Sequence, residues 1–192
     1  MRLRLLTGNP GKLAELQAAL DGLGVEVVQD DRGYPEIQAD TLEEVAEAGA
    51  GHLLATGIEP PFVLEDSGLF VDALEGFPGV YSRYALDTIG NEGLLRLLAG
   101  VPEPERTASF RADLCYIDAD RGVHHFAGAC PGRIAEAARG SGGFGFDPVF
   151  VPDGEPSGRT FAEMDLAAKN RLSHRGQAVE AMKAYLGKAA NR

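Results

Sequence analysis

The sequence predicts an α/β protein with a second, β-rich lobe, and three observations carry that prediction. From residue 2 to residue 64 short apolar strands alternate with helical spacing, in the order strand, helix, strand, helix, strand. Residues 107–118 then alternate apolar and polar side chains like a long half-buried strand, and 123–129 look like its hairpin partner. A last helical stretch runs from about Gly176 to Leu186. With 192 residues, 44% of them hydrophobic and 24% charged, the chain is long enough for one domain with a sizeable core, arranged in two lobes.

Each element has its own signal. Arg2–Leu6 puts Leu3 and Leu5 on one face and reads as a strand. After the turn-forming run Thr7-Gly8-Asn9-Pro10-Gly11, apolar residues recur at Leu13, Leu16, Leu20 and Leu23, which predicts a helix ending near Gly24. Val25–Val28 is a second strand, and a polar loop follows from Gln29 to Asp40. Thr41 with Glu44 three residues on is a capping-box pattern, so a helix runs to about Thr56 despite Gly49 and Gly51. Phe62-Val63-Leu64 is a short buried strand leading into Glu65-Asp66-Ser67-Gly68. Glycines and Pro78 interrupt residues 75–79, and Glu92–Leu98 is a short amphipathic helix. The hairpin turn is Asp118-Ala119-Asp120-Arg121-Gly122.

Composition excludes several function classes. A formal charge of −11 leaves no broad basic field for nucleic acid, so an anionic partner must be small and locally held. No apolar run approaches the roughly 20 residues that span a bilayer, and the N-terminal stretch meets Thr7-Gly8-Asn9-Pro10 before a signal-peptide core forms. A cytoplasmic protein without membrane contact is expected. Cys115 and Cys130 lie in apolar segments without Cys-x-x-Cys spacing and read as buried reduced thiols. His124 and His125 are strand neighbours that point to opposite faces, and His52 has no second ligand at helical spacing, so a zinc site is not expected.

Four stretches carry candidate chemistry. Thr7-Gly8-Asn9-Pro10-Gly11-Lys12 joins a strand to a helix N-terminus, where unpaired N–H groups and the dipole favour phosphate and Lys12 adds a cation. Its spacing is too short for a Walker A loop, and an ordinary strand-to-helix turn would read the same way. Glu65-Asp66 puts adjacent carboxylates at a strand exit, which suits a hard divalent cation such as Mg2+, with Glu36 of the polar loop as a further donor. A solvated acidic turn is the other reading. Gly142-Gly143-Phe144-Gly145-Phe146-Asp147-Pro148 embeds aromatics in glycine, either to stack a planar ligand on Phe146 beside the acceptor Asp147 or to form a tight core loop. Lys169, Ser173, His174 and Arg175 gather around a helix start, which alone is a solvated basic turn.

Taken in order, the motifs Thr7-Gly8-Asn9-x-x-Lys12-x-x-Glu15, Glu65-Asp66-Ser67-Gly68-Leu69, Pro78-Gly79-Val80-Tyr81-Ser82, Gly142–Pro148 and Ser173-His174-Arg175-Gly176 resemble the inosine triphosphate pyrophosphatase family from Leu5 to about Leu186. That resemblance implies hydrolysis of ITP, dITP and XTP to the monophosphate and pyrophosphate, which removes deaminated purines from the nucleotide pool. It implies an elongated mixed-sheet, two-lobed fold with a nucleotide cleft between the lobes, and a homodimer. On this chain the fold would be one domain over 1–192, with an α/β lobe at about 1–75 and 135–192 and a β-rich lobe at about 76–134. By the same resemblance Thr7 to Lys12 hold the triphosphate, and Glu36 and Asp66 bind Mg2+. Asp66 also serves as the base for the attacking water, with Ser67 beside it. Phe144, Gly145, Phe146, Asp147, Lys169, His174 and Arg175 form the purine pocket.

The chemistry is consistent with those assignments. Cleavage between α and β phosphorus needs charge neutralised on the leaving pyrophosphate, which Lys12 and a metal supply. The donors Lys169, His174 and Arg175 match the 6-oxygen of hypoxanthine and xanthine and would face the amino group of adenine. Such mismatches are rejected by up to roughly 10⁴-fold. Guanine shares the 6-oxygen, so its exclusion must come from the 2-position. Two departures from the family pattern stand out. Its helix after the glutamate loop carries an Asn and a Lys where this chain has Val45 and Gly49, and its Ser-Ala-Arg is shortened to Ser82-Arg83. The metal carboxylates, Lys12 and the base pocket remain, so activity is expected to survive. A nucleotide-binding regulator that keeps the pocket with weak or no catalysis is the alternative function, and a pyrimidine-directed pyrophosphatase is a rival within the enzyme class.

Overall fold

The computed structural model describes residues 2–22 and 24–189, so Leu23 and the two chain ends of the expected domain lie outside the described residues. Six strands form one sheet: β1 (Arg2–Leu6), β2 (Glu26–Asp30), β3 (Phe62–Val71), β4 (Thr107–Ile117), β5 (Val123–Ile134) and β6 (Phe150–Pro152), in the spatial order β2-β1-β3-β4-β5-β6. The helices are α1 (Pro10–Leu20), α2 (Leu42–Ala55), α3 (Ser82–Thr88), α4 (Gly90–Leu97), α5 (Leu166–Leu172) and α6 (His174–Ala189). β1 runs parallel to both neighbours, with Leu6 opposite Asp30 of β2 and Leu64 of β3, while β5 and β6 are antiparallel. The sheet is therefore mixed, as the α/β reading requires. No helix among the described residues is long and apolar enough to cross a membrane.

The chain divides into two compact units. Unit 1 comprises the residues up to Asp66, Ala112–Gly128, and those from Arg175 onward; unit 2 is Ser67–Arg111 with Ala129–His174. Those boundaries differ from the lobes expected at 1–75, 76–134 and 135–192. The reason is that β3, β4 and β5 each pass from one unit into the other, and the 107–134 hairpin belongs to the same sheet as β1–β3 rather than forming its own.

Unit 1 is a three-layer sandwich. On one face Leu3, Leu5, Val63, Leu114 and Tyr116 pack with Leu16 and Leu20 of α1 and Ala178, Val179 and Met182 of α6. On the other, Leu6, Phe62, Leu64, Cys115 and Ile117 pack with Ala46, Ala50 and Leu53 of α2. Covering both faces is why residues 112–117 are buried without alternation, where a half-buried strand was expected. The caps follow the sequence closely. Asn9 caps α1 with Pro10 in its first turn, and Thr41 with Glu44 forms a reciprocal capping box on α2. α1 ends at Leu20, a turn short of the expected end.

Unit 2 has an aromatic core. Phe110 meets Phe150 edge-on with centroids 4.7 Å apart, and Phe150 lies 5.2 Å from Phe161, among Leu69, Val71, Ala85, Leu94, Leu98, Cys130 and Phe146. Both cysteines are free and buried, and burial pushes each thiol up to about 12, which fits the inert reading. His124 bonds Asp118 while His125 bonds Asp113, each at 2.7 Å.

Candidate active site

In unit 1 the parallel register brings the end of β1 beside the middle of β3, with Leu6 opposite Leu64. The segment leaving β1 is built around Asn9, whose Oδ1 accepts from Gly11 N at 2.8 Å and Lys12 N at 3.3 Å, while Thr7 Oγ1 accepts from Asn9 N at 3.1 Å. This fixes the first turn of α1 and sends the Lys12 ammonium to β3. Lys12 Nζ donates to the Glu65 carbonyl at 2.9 Å and lies 3.7 Å from its carboxylate.

Glu65 is 5% exposed and would be untenable as an isolated charge. It is accommodated by Arg175 at the start of α6, whose Nε and a terminal nitrogen grip the two carboxylate oxygens at 2.6 and 2.7 Å. The other terminal nitrogen is bonded to Glu15 of α1, also buried. Burial works against the Arg175 charge, but Glu65 and Glu15 outweigh it and hold the pKa above its ordinary value. The family resemblance implies a purine-pocket role for Arg175; its guanidinium is 2% exposed and joins α1, β3 and α6 within unit 1. Glu15 appeared in a motif without a role, and the cluster supplies one. The signal was the i, i+3 spacing from Lys12, which puts Lys12 and Glu15 on one helix face.

Asp66 and Ser67 are half-buried, and β3 continues through them to Val71. The acidic stretch is therefore mid-strand and not the solvated turn that the sequence left open. Gly68 makes the continuation possible: a Cβ there would stand 2.2 Å from the Gly79 carbonyl oxygen. Ser82 Oγ accepts from Leu69 N at 2.8 Å and donates to Gly79 O at 2.7 Å, so the Glu65–Leu69 and Pro78–Ser82 motifs form one clasp within unit 2 from Gly68 onward. Arg83, adjacent to it, donates from Nε to Asp87 at 2.7 Å.

Glu36 is exposed, in the stretch between β2 and α2. Two residues before it, the Tyr34 ring packs into unit 1's core against Gly49 and Leu64. Burial, then the charges of Asp66, Glu36 and Glu65, raise the Tyr34 pKa above the ordinary phenol value, so the hydroxyl keeps its proton. Gly49, where the family pattern has lysine, has its side-chain space filled by that ring.

Unit 2 holds a second buried pair. Lys169 Nζ donates to Asp147 Oδ2 at 2.6 Å, and the same oxygen accepts from Phe144 N at 2.7 Å. The ammonium lies 4.6 Å from the Phe144 ring centroid and 5.5 Å from that of Phe161. The glycine run is required here, since a Cβ at Gly143 would stand 2.1 Å from Asp147 Oδ2. Asn91 Nδ2 donates to Gly145 O at 3.1 Å and fixes the loop from α4. Phe146 departs from the expected stacking shelf: it is 3% exposed inside the core, and the half-buried aromatic of the loop is Phe144. His174 is buried and stacks on Phe110, with centroids 4.9 Å apart and an 11° interplanar angle.

The sequence matches the Ham1 family over residues 3–185. The chain belongs to the Ham1 family. Relatives share most of this length. A dITP/XTP pyrophosphatase from Thermococcus kodakarensis is 55% identical over 179 residues, covering 93% of this chain and 94% of that protein. One from Pyrococcus horikoshii is 46% identical over 187 residues, covering 97% of each. A solved HAM1 protein from Coxiella burnetii has a TM-score of 0.80 at 32% identity, covering 98% of this chain and 99% of that one. In this Ham1 protein the Asn9 cap, the Gly68 clasp and the Asp147 loop are local joints of the fold.

Proposed function

We propose that this chain hydrolyses deaminated purine nucleoside triphosphates (ITP, dITP and XTP) to the monophosphate and pyrophosphate, a reading supported by relatives named dITP/XTP pyrophosphatase. One observation supports the chemistry above others. Where the end of β1 lies beside the middle of β3, Lys12 and Arg175 hold Glu65, Arg175 also holds Glu15, and the charges of Asp66 and Glu36 both bear on Tyr34. Two carboxylates with oxygen donors alone suit Mg2+, which binds through one or two carboxylates together with substrate phosphates and keeps several waters. Asp66 and Glu36 would hold the ion, which when bound neutralises charge on the leaving pyrophosphate.

The chain's own residues do the rest. The α1 N-terminus and Thr7–Lys12 hold the triphosphate, with Lys12 offering ammonium protons beyond the one given to the Glu65 carbonyl. Asp66 orders a water for attack on the α-phosphorus and takes its proton as the α–β bridge bond breaks. Ser67 borders that site. In unit 2 Phe144 offers a ring face and Lys169 and His174 the donors for the purine 6-oxygen, while Asp147 sets the position of Lys169 and Gly145 and Phe146 shape the loop. A homodimer acting in the cytoplasm completes this reading; exposed Phe77, Tyr81 and Tyr84 of unit 2 support a second copy.

The test is pyrophosphate release from ITP, dITP, XTP, GTP, ATP and dUTP with Mg2+, repeated with Asp66→Asn. ITP and XTP should lead the series, and the variant should lose about 10²-fold or more in kcat. Tight ITP binding without pyrophosphate release would make the chain a nucleotide-binding regulator. Unchanged kcat in the variant would remove Asp66 from catalysis.

A further inference from the structure

Gly49 lies in the interior of α2, buried and at ordinary helical backbone angles, where glycine costs roughly 1 kcal/mol relative to alanine. Backbone conformation does not call for it; space does. A Cβ at residue 49 would stand 2.6 Å from Tyr34 Cδ2, 2.8 Å from Cε2 and 3.1 Å from Leu64 Cδ1. Gly51 in the same helix has nothing within 4 Å of its Cβ position. The missing side chain at 49 is therefore specific to the seat of one aromatic ring.

That ring anchors a stretch with little else to hold it. Residues 31–40 have no helix or strand, and their polar ties lie at the edges, Arg32 to Asp30 and Asp40 to Glu44. Between those edges Tyr34 is the side chain that joins the core cluster of Leu6, Ala46, Ala50 and Leu64. Glu36 follows two residues later, and Leu64 precedes Asp66 by two on β3. One ring thus touches the helix, the strand that bears Asp66 and the loop that bears Glu36, all within unit 1.

We infer that Tyr34, seated on Gly49, is a positioning residue that fixes the 31–40 stretch so that Glu36 stands with Asp66 at the cation end of the site. The inference rests on the reading of Glu36 as a metal ligand. The ring does the work, and the hydroxyl is dispensable. Filling the seat and emptying it should therefore cause the same defect, because a methyl at residue 49 drives the ring out as surely as its deletion.

The experiment compares Gly49→Ala, Tyr34→Ala, Tyr34→Phe, the Gly49→Ala/Tyr34→Ala double variant and Glu36→Gln. The readouts are the Mg2+ concentration for half-maximal pyrophosphate release, KM at saturating Mg2+, Tm, and the rate of trypsin cleavage after the exposed Arg32. Gly49→Ala and Tyr34→Ala should each raise the Mg2+ requirement by about 10-fold or more, as loss of an outer-shell support does, with KM unchanged and faster cleavage at Arg32. The double variant should be no worse than Tyr34→Ala, since with the ring already gone the methyl at residue 49 has nothing left to displace. Tyr34→Phe should match the wild type. A wild-type Mg2+ requirement and cleavage rate in Gly49→Ala or Tyr34→Ala overturns the inference, as does a Tyr34→Phe defect equal to that of Tyr34→Ala. If Glu36→Gln leaves the Mg2+ requirement unchanged, the ligand reading itself fails. If Glu36→Gln raises it and Tyr34→Ala does not, positioning alone fails.

Discussion

Unit 1 and unit 2 each bury an ionic cluster, and the two are balanced differently. In unit 2 one ammonium meets one carboxylate, Lys169 on Asp147, and a backbone N–H from Phe144 shares the same oxygen. In unit 1 a single guanidinium bridges two carboxylates, Glu15 and Glu65, and Lys12 supplies the second positive charge from α1. The two arrangements are suited to different tasks. The pair in unit 2 holds a glycine-rich loop in one shape. The cluster in unit 1 joins three elements, α1, β3 and α6.

Removing the cation from each cluster tests that contrast, and the larger loss is expected in unit 1. Arg175→Met leaves Glu15 and Glu65 facing each other in a buried site, so it should cost about 5 kcal/mol in urea unfolding, the upper end for breaking a buried ion pair. Lys169→Met leaves Asp147 with the Phe144 N–H still donating, and should cost about 3 kcal/mol. Function should separate the two further. Lys169→Met should raise KM for ITP with a smaller change in kcat, whereas Arg175→Met, through Glu65 and its neighbour Asp66, should lower kcat. Equal stability losses, or a pure KM effect from Arg175→Met, would break the comparison.

The sequence revealed local devices better than long-range ones. Asn9, Thr41 and Glu44 sit within a few residues of the groups they cap, so their spacing alone identifies them. The strand that carries Asp66 was legible only to Leu64, because its extension rests on Gly68 fitting against Gly79 and on Ser82 bonding Leu69, contacts between separated segments. Arg175 reaches Glu15 and Glu65 across most of the chain, and no periodicity encodes that meeting. The ordered motifs led to the family nonetheless. Phe146 shows the limit of composition: an aromatic among glycines reads as a platform for a ligand or as core, and burial in the cluster of Phe110, Phe150 and Phe161 decides for core. β6 and α5 were missed because each is too short for its period to emerge.

The smallest expected effects come from the capping boxes, which occur once in each unit: Thr41 with Glu44 on α2, and Thr160 with Glu163 on the turn Phe161–Glu163. Hydrogen bonds from Thr41 hold the Glu44 carboxyl below its ordinary value, and the Thr160 backbone N–H at 2.8 Å does the same for Glu163, helped by Arg139 at 3.2 Å. A carboxyl whose folded pKa is depressed stabilises the fold above its unfolded value and loses that contribution as pH falls through the folded value. Glu44→Ala and Glu163→Ala should each lower Tm slightly at about pH 6, and both deficits should shrink as pH falls below the ordinary glutamate value and through each depressed folded value. Salt should distinguish them. The Glu163 deficit includes an ion pair with Arg139 and should diminish in about 0.5 M NaCl, while the Glu44 deficit, made of hydrogen bonds to neutral groups, should hold. Scanning calorimetry of both variants over pH and salt gives the answer, and a Glu44 deficit that faded with salt at neutral pH would mean that charge, not capping, ties down the helix on which Tyr34 rests.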